Sequence, residues 1–228
     1  MLEEVLALAK SSERFRTIRD ELGRHGEVTA SGLFTSSSAL LLAYLFAELK
    51  VPLLILTKSL EHGEELREDL SQFLKEVHLL PPPHSDVDLR ESRIMSLSAL
   101  LLGEARVLLV PLDSLLSGVP EPGELKDLII ELAAGRQLDL EAFIRSLHSR
   151  GYERVGTVEV VGEMALRGGI VDCFPFGCEN PLRVEFSGDR VSSLREFDPL
   201  TQRSLCPLER ARVLPFLEPF HLKGRIEA

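Results

Sequence analysis

A chain of 228 residues, 44% of them hydrophobic, buries the core of one large domain or two modest ones and is not a disordered segment. Thirty-six acidic against 26 basic residues give a formal net charge of −10, and with two Tyr and no Trp this argues against direct nucleic-acid binding, which draws on Lys, Arg and stacking aromatics. The opening "MLEEVLALAK" is acidic where a secretory leader is basic, and no apolar run has the length of a membrane span, so the chain reads as cytoplasmic with no membrane partner. Periodicity predicts an amphipathic helix over 2–24, a strand near 27–31, a loop of small residues, and a helix across "ALLLAYLFAEL". "VPLLILT" (51–57) follows as a buried strand. Ser59 then caps a helix whose Leu66, Leu70, Phe73 and Leu74 share a face. "VHLLPPP", "ESRIMSLSALLLG" and "ARVLLVP" repeat the strand and helix alternation, which implies a parallel sheet covered by helices in a first domain over 1–116.

"SGVPEPGELKD" reads as a connector. Beyond it "DLIIELAAG" predicts a strand, and a short helix starts at the cap Asp139 and ends before Gly151. "GEMALRGG", "IVDCFPFG", "PLRVEFSGD" and "RVSSLREFD" alternate and break as antiparallel strands do, giving a small α+β domain over 118–203. The remainder, 204–228, is expected to return and pack on the first domain.

The stretch after the 27–31 strand has the outline of a phosphate-binding loop without its chemistry. With Gly32 as the first position of G-x-x-x-x-G-K-[ST], the second Gly falls on Ser37, the Lys on Ser38 and the hydroxyl residue on Ala39. Such a site lacks both the cation for the β/γ-phosphates and the magnesium ligand. It is either a degenerate nucleotide site or a serine-rich helix entry with no ligand. His84, Asp86 and Asp88 alternate in "HSDVD", but a solvated loop is the simpler reading than a metal site. Glu163 and Asp172 can be drawn as an acid and a base, with nothing in the sequence to show a perturbed environment. Cys173, Cys178 and Cys206 lack a CxxC pair and fit reduced thiols. Arg167, before Gly168 and Gly169, and Arg183, two residues before Glu185, suit either a bidentate interface anchor or an intradomain salt bridge.

Residues 151–205 carry a longer signal: G-Y-x-R-V, then G-E-x-x-x-R-G-G-I-x-D-x-F-P, P-x-R-V-E-F-x-G-D and R-x-F-D-P-x-T-Q-R-S-L. This order resembles the UvrB-homology region at the N-terminus of the bacterial transcription-repair coupling factor, Mfd, and the preceding segments fit the same plan. The resemblance implies an α/β, P-loop-like domain with a degenerate nucleotide site, followed by a small α+β domain like the second domain of UvrB. It implies a non-catalytic adaptor that recruits UvrA in transcription-coupled nucleotide excision repair, with no cofactor, metal or catalytic residue. It also places UvrA contacts at Arg167, Arg183 and Phe186. The family often has a second aromatic after V-E-F, where this chain has Ser187. RNA polymerase and DNA are implied only through regions of the family that lie outside this sequence. The alternative function is an atypical nucleotide-binding or ATP-hydrolysing protein.

Overall fold

The computed structural model of the chain describes residues 2–83 and 86–216. It divides between Gly118 and Val119 into two compact units. The fold is mixed α/β, with a parallel sheet in the first unit and mainly antiparallel pairing in the second.

The first unit begins with α1 (Leu2–Ser11) and α2 (Glu13–His25), so the single helix expected over 2–24 is broken at Ser12. Gly26, at φ 76°, ends α2 in the left-handed conformation that glycine adopts without steric cost. The strand expected at 27–31 does not form: these residues are exposed and run without regular structure into Gly32. α3 (Thr35–Leu49) then leads to β1 (Leu53–Thr57), α4 (Leu60–Ser71), β2 (Val77–Leu79), α5 (Val87–Leu101), β3 (Val107–Pro111) and α6 (Leu112–Ser117). The strands pair in parallel in the order β1-β3-β2. Ser59 caps α4 by accepting the His62 N–H, as the sequence predicts, and Leu66 and Leu70 bury their face against Leu79 and Leu109. β1 departs from expectation, because it lies at the sheet edge and Leu54 and Leu56 are 67% and 58% exposed. Arg93, nearly fully buried, donates to the carbonyls of Pro81 (2.7 Å) and Gly118 (3.0 Å), which fixes the proline-rich loop.

In the second unit the presumed connector contains a helix, α7 (Pro122–Leu128), begun by Pro122 in the first turn, where its missing N–H costs nothing. Then follow β4 (Ile130–Ala133), α8 (Leu140–Ser149), β5 (Glu153–Arg154), β6 (Glu163–Arg167), β7 (Ile170–Cys173), β8 (Leu182–Phe186), β9 (Val191–Phe197), β10 (Ser204–Pro207) and β11 (Arg210–Val213). Six of them form one sheet in the order β10-β9-β8-β7-β6-β5. Asp139 caps α8 through the Ala142 N–H at 2.7 Å. Phe143 and Leu147 of that helix pack on Val171, Cys173, Val184 and Leu194, the alternate residues of three strands. Full burial of each such side chain stabilises the unit by about 1.5–3 kcal/mol. Residues 217–228 lie outside the described residues, and the placement of 204–228 on the first domain is corrected for the described part of that segment, 204–216. β11 pairs antiparallel with β4, and the buried Tyr152 hydroxyl donates to the Leu214 carbonyl at 2.7 Å, so this segment completes the second unit. Its strand-forming residues find open backbone groups along β4.

Candidate docking surface

The strands β6 to β9 bury one face under α8. Strand alternation sends Ala165, Arg167, Asp172, Arg183, Glu185, Ser193, Arg195 and Phe197 to the other. On that second face Asp172 stands directly across from Arg183. The pair is bidentate, with Nε on one carboxylate oxygen and Nη2 on the other, each at 2.8 Å. Asp172 is 2% exposed and the Arg183 side chain 15%, so this ion pair lies largely out of water. The Arg183 guanidinium also sits 4.3 Å from the centre of the Phe197 ring and donates through Nη1 to the Gln202 carbonyl at 3.1 Å. Hydrogen bonding to Asp172 raises the Arg183 pKa further above its ordinary value. Of the two sequence readings of Arg183, the intradomain bridge is therefore formed. Its partner is Asp172, while Glu185 faces Arg195 at 2.8 Å.

Arg167 is held differently. β6 and β7 are joined by a two-residue turn, Gly168 and Gly169, with Arg167 paired to Ile170 and Gly168 at φ 62°, a conformation suited to tight hairpins. Arg167 is exposed, and Nη2 alone is engaged, donating to the Gly156 carbonyl (3.1 Å) and the Thr157 hydroxyl (2.9 Å). Among the described residues Nε and Nη1 have no hydrogen-bond acceptor, which leaves a positioned cation with donors directed to solvent. Phe186 does not join the two arginines. Strand alternation puts it with Leu182 and Val184 on the α8 side, where its ring lies 5.8 Å from Phe143 and packs on the core.

The remaining candidates separate. Glu163 accepts the backbone N–H groups of Glu159 (2.7 Å) and Val160 (2.9 Å), so it braces a turn and does not face Asp172. Cys173 is buried and its thiol is pushed well above the ordinary range, mainly by burial. At the loop first read as a phosphate site, Gly32 is exposed at φ 74°. Ser37 exchanges hydrogen bonds with Phe34, Ser38 is within α3, and Ala39 is fully buried against α4. A hydroxyl at position 39 would enter the core. Of the "HSDVD" segment, His84 and the Asp88 side chain lie outside the described residues. Among the described residues no group of His, Cys, Asp or Glu is arranged to hold a metal ion, and no helix is long and apolar enough to cross a membrane.

Sequence reasoning did not single out Gln202 or Thr157, and it weighed Asp172 only as an acid. One signal was available: an Asp inside the apolar run "GIVDCF" must be buried or edge-exposed, and a buried carboxylate requires a cation.

The mainly antiparallel sheet thus packs one face on a helix and carries Arg167, Arg183 and Arg195 on the other. Residues 130–218 match the family model of the UvrB interaction domain. Over a longer span the chain is 30% identical, across 216 residues, to a transcription-repair-coupling factor of Staphylococcus aureus (strain bovine RF122 / ET3-1). It is also 30% identical, across 215 residues, to that of Staphylococcus haemolyticus (strain JCSC1435). Each alignment covers 90% of this chain and 18% of the relative. Residues 130–218 thus match the UvrB interaction domain within a region similar to transcription-repair-coupling factors, in line with the motifs of 151–205, and the chain spans under a fifth of the relatives' length.

Proposed function

We propose that this chain is a non-catalytic docking module that recruits UvrA in transcription-coupled nucleotide excision repair, through the arginine-bearing face of its second unit. The observation that carries the reading is Arg167, an exposed guanidinium fixed at a rigid hairpin inside the domain that matches the UvrB interaction family, with Nε and Nη1 left for a partner. A guanidinium held this way loses little conformational freedom when a carboxylate or carbonyl of the partner meets it. Arg183 contributes by shaping the face: Asp172 and Gln202 take three of its five N–H groups, so two remain for a partner.

Calorimetric titration of the whole chain with purified UvrA tests the reading. The unmutated chain binds saturably, and Arg167→Ala weakens binding by about 10-fold or more, the loss expected for an interfacial arginine whose truncation costs ~1.4–2 kcal/mol. Its thermal unfolding stays unchanged because the side chain is exposed. Absence of binding by the unmutated chain removes the proposal, and undiminished binding by Arg167→Ala removes this residue from it.

A further inference from the structure

The turn between β9 and β10 places Leu200 at its tip, 90% exposed. A single exposed leucine is ordinary on a protein surface. This one is unusual in how firmly its backbone is held and in what holds it. The Asp198 carboxylate accepts the N–H groups of Leu200 (2.9 Å) and Thr201 (2.7 Å). The Gln202 N–H closes the turn on the Asp198 carbonyl at 2.8 Å, and the Asp198 N–H donates to Arg203 at 2.9 Å. Gln202 sits at φ 61°, a left-handed conformation that a non-glycine residue keeps only where its surroundings hold it.

Those surroundings are the docking face itself. The Gln202 carbonyl accepts from Arg183, and its side-chain Nε2 donates to the carbonyls of Pro199 (2.7 Å) and Val158 (3.1 Å). Val158 belongs to the same short segment, 156–158, that receives Arg167. One loop is therefore tied to Arg167 at one end and to the Leu200 turn at the other, and Arg183 bonds to the turn directly. The exposed Arg203 follows immediately. An apolar side chain on a rigid turn, continuous with a cationic face, has the features of a binding anchor: burying it releases water and orders little backbone.

We infer that Leu200 is the apolar anchor of the docking surface, entering an apolar pocket of UvrA whose rim offers carboxylate or carbonyl oxygens to Arg167 and Arg203. This rests on the function proposed above and adds the residue that supplies desolvation beside the charged contacts. Charge selects and orients the partner, and Leu200 holds it.

The test is titration of the whole chain with purified UvrA, using Leu200→Ala, Leu200→Asp and, as a control, Leu116→Ala, which alters another exposed leucine in α6 (77%) of the first unit. Leu200→Ala weakens binding by ~10-fold, Leu200→Asp by ~100-fold or more, and Leu116→Ala leaves it unchanged. All three retain the unmutated thermal transition. Binding by the unmutated chain with Leu200 variants of equal affinity overturns the anchor while the docking function stands. Equal weakening by Leu116→Ala also overturns it, since general stickiness would then explain the loss. No binding by the unmutated chain overturns both.

Discussion

Removing the Arg183 guanidinium leaves the buried Asp172 carboxylate without its cation, and the magnitude follows from that geometry. The lost pair is bidentate, with both oxygens at 2.8 Å and Asp172 2% exposed. A surface ion pair of the same residues would contribute about 0–1 kcal/mol. Breaking a buried pair by deleting one partner costs about 3–5 kcal/mol, because the remaining charge is neither solvated nor paired. The contact with the Phe197 ring adds on the order of 0.5–2 kcal/mol. Arg183→Ala therefore removes a large part of the roughly 5–15 kcal/mol that stabilises a domain. The assay is urea-dependent alkylation of Cys173, which is fully buried in the core of the second unit and reacts when that unit opens, with peptide mass mapping to separate it from Cys178 and Cys206. Arg183→Ala shifts the Cys173 transition to markedly lower urea. The double variant Asp172→Asn, Arg183→Ala recovers part of the loss, since the unpaired charge is gone, with a coupling on the order of 2–3 kcal/mol. A cost for Arg183→Ala below about 1 kcal/mol, with no coupling, would refute the reasoning and mean that water reaches Asp172. It also follows that weaker UvrA binding by Arg183→Ala does not by itself identify a contact, whereas Arg167→Ala is a clean probe.

The turn that carries Leu200 has a pH dependence of fixed sign. The Thr201 N–H, with a smaller contribution from that of Leu200, holds the Asp198 carboxyl below its ordinary value of 3.8. A depressed carboxyl contributes stability that is present above the unfolded value and is lost as pH falls through the folded one. The amide resonances of Leu200 and Thr201 accordingly titrate with a midpoint below 3.8. A midpoint at or above that value would show that the carboxylate does not close the turn. For the nucleotide alternative, a ligand at about a hundred times its dissociation constant adds ~2.7 kcal/mol to stability. With Ser38 where the lysine belongs and Ala39 buried, millimolar Mg-ATP leaves the thermal transition unmoved, and a clear upward shift would restore a nucleotide site.

Much of the local structure was legible because its causes are local. The caps Ser59 and Asp139, the apolar pair Leu66 and Leu70 and the hairpin at Gly168 and Gly169 depend on residues a few positions apart, and each forms where its pattern lies, although α4 ends at Ser71, before Phe73 and Leu74 of the expected face. The ordered motifs of 151–205 also sufficed to indicate a UvrB interaction domain. Tertiary pairing decided the rest. "EVTAS" has a strand-like composition, but its residues have no neighbouring ladder and stay exposed, since β-structure depends on a partner strand. "VPLLILT" reads as a buried strand, yet β1 lies at the sheet edge, which alternation cannot reveal. The return strand β11 pairs with β4 some 80 positions earlier, and no pattern within either segment names the other.

The docking face divides along the same line. Its arginines were visible as residue types, but whether each was a bridge or a free donor depended on strand register. Register set Asp172 against Arg183 and left Arg167 at the hairpin with only one nitrogen engaged. It also brought the Gln202 carbonyl, nineteen positions away in the chain, onto Arg183, while Phe186 lies with Leu182 and Val184 on the α8 face, opposite Arg183. The sequence determines which side chains and turns are available, through forces acting over a few residues. Which charges are neutralised and which stay open to a partner is decided by the long-range pairing of strands, because the energy of a charge depends on its distance to the opposite charge and its exposure to water.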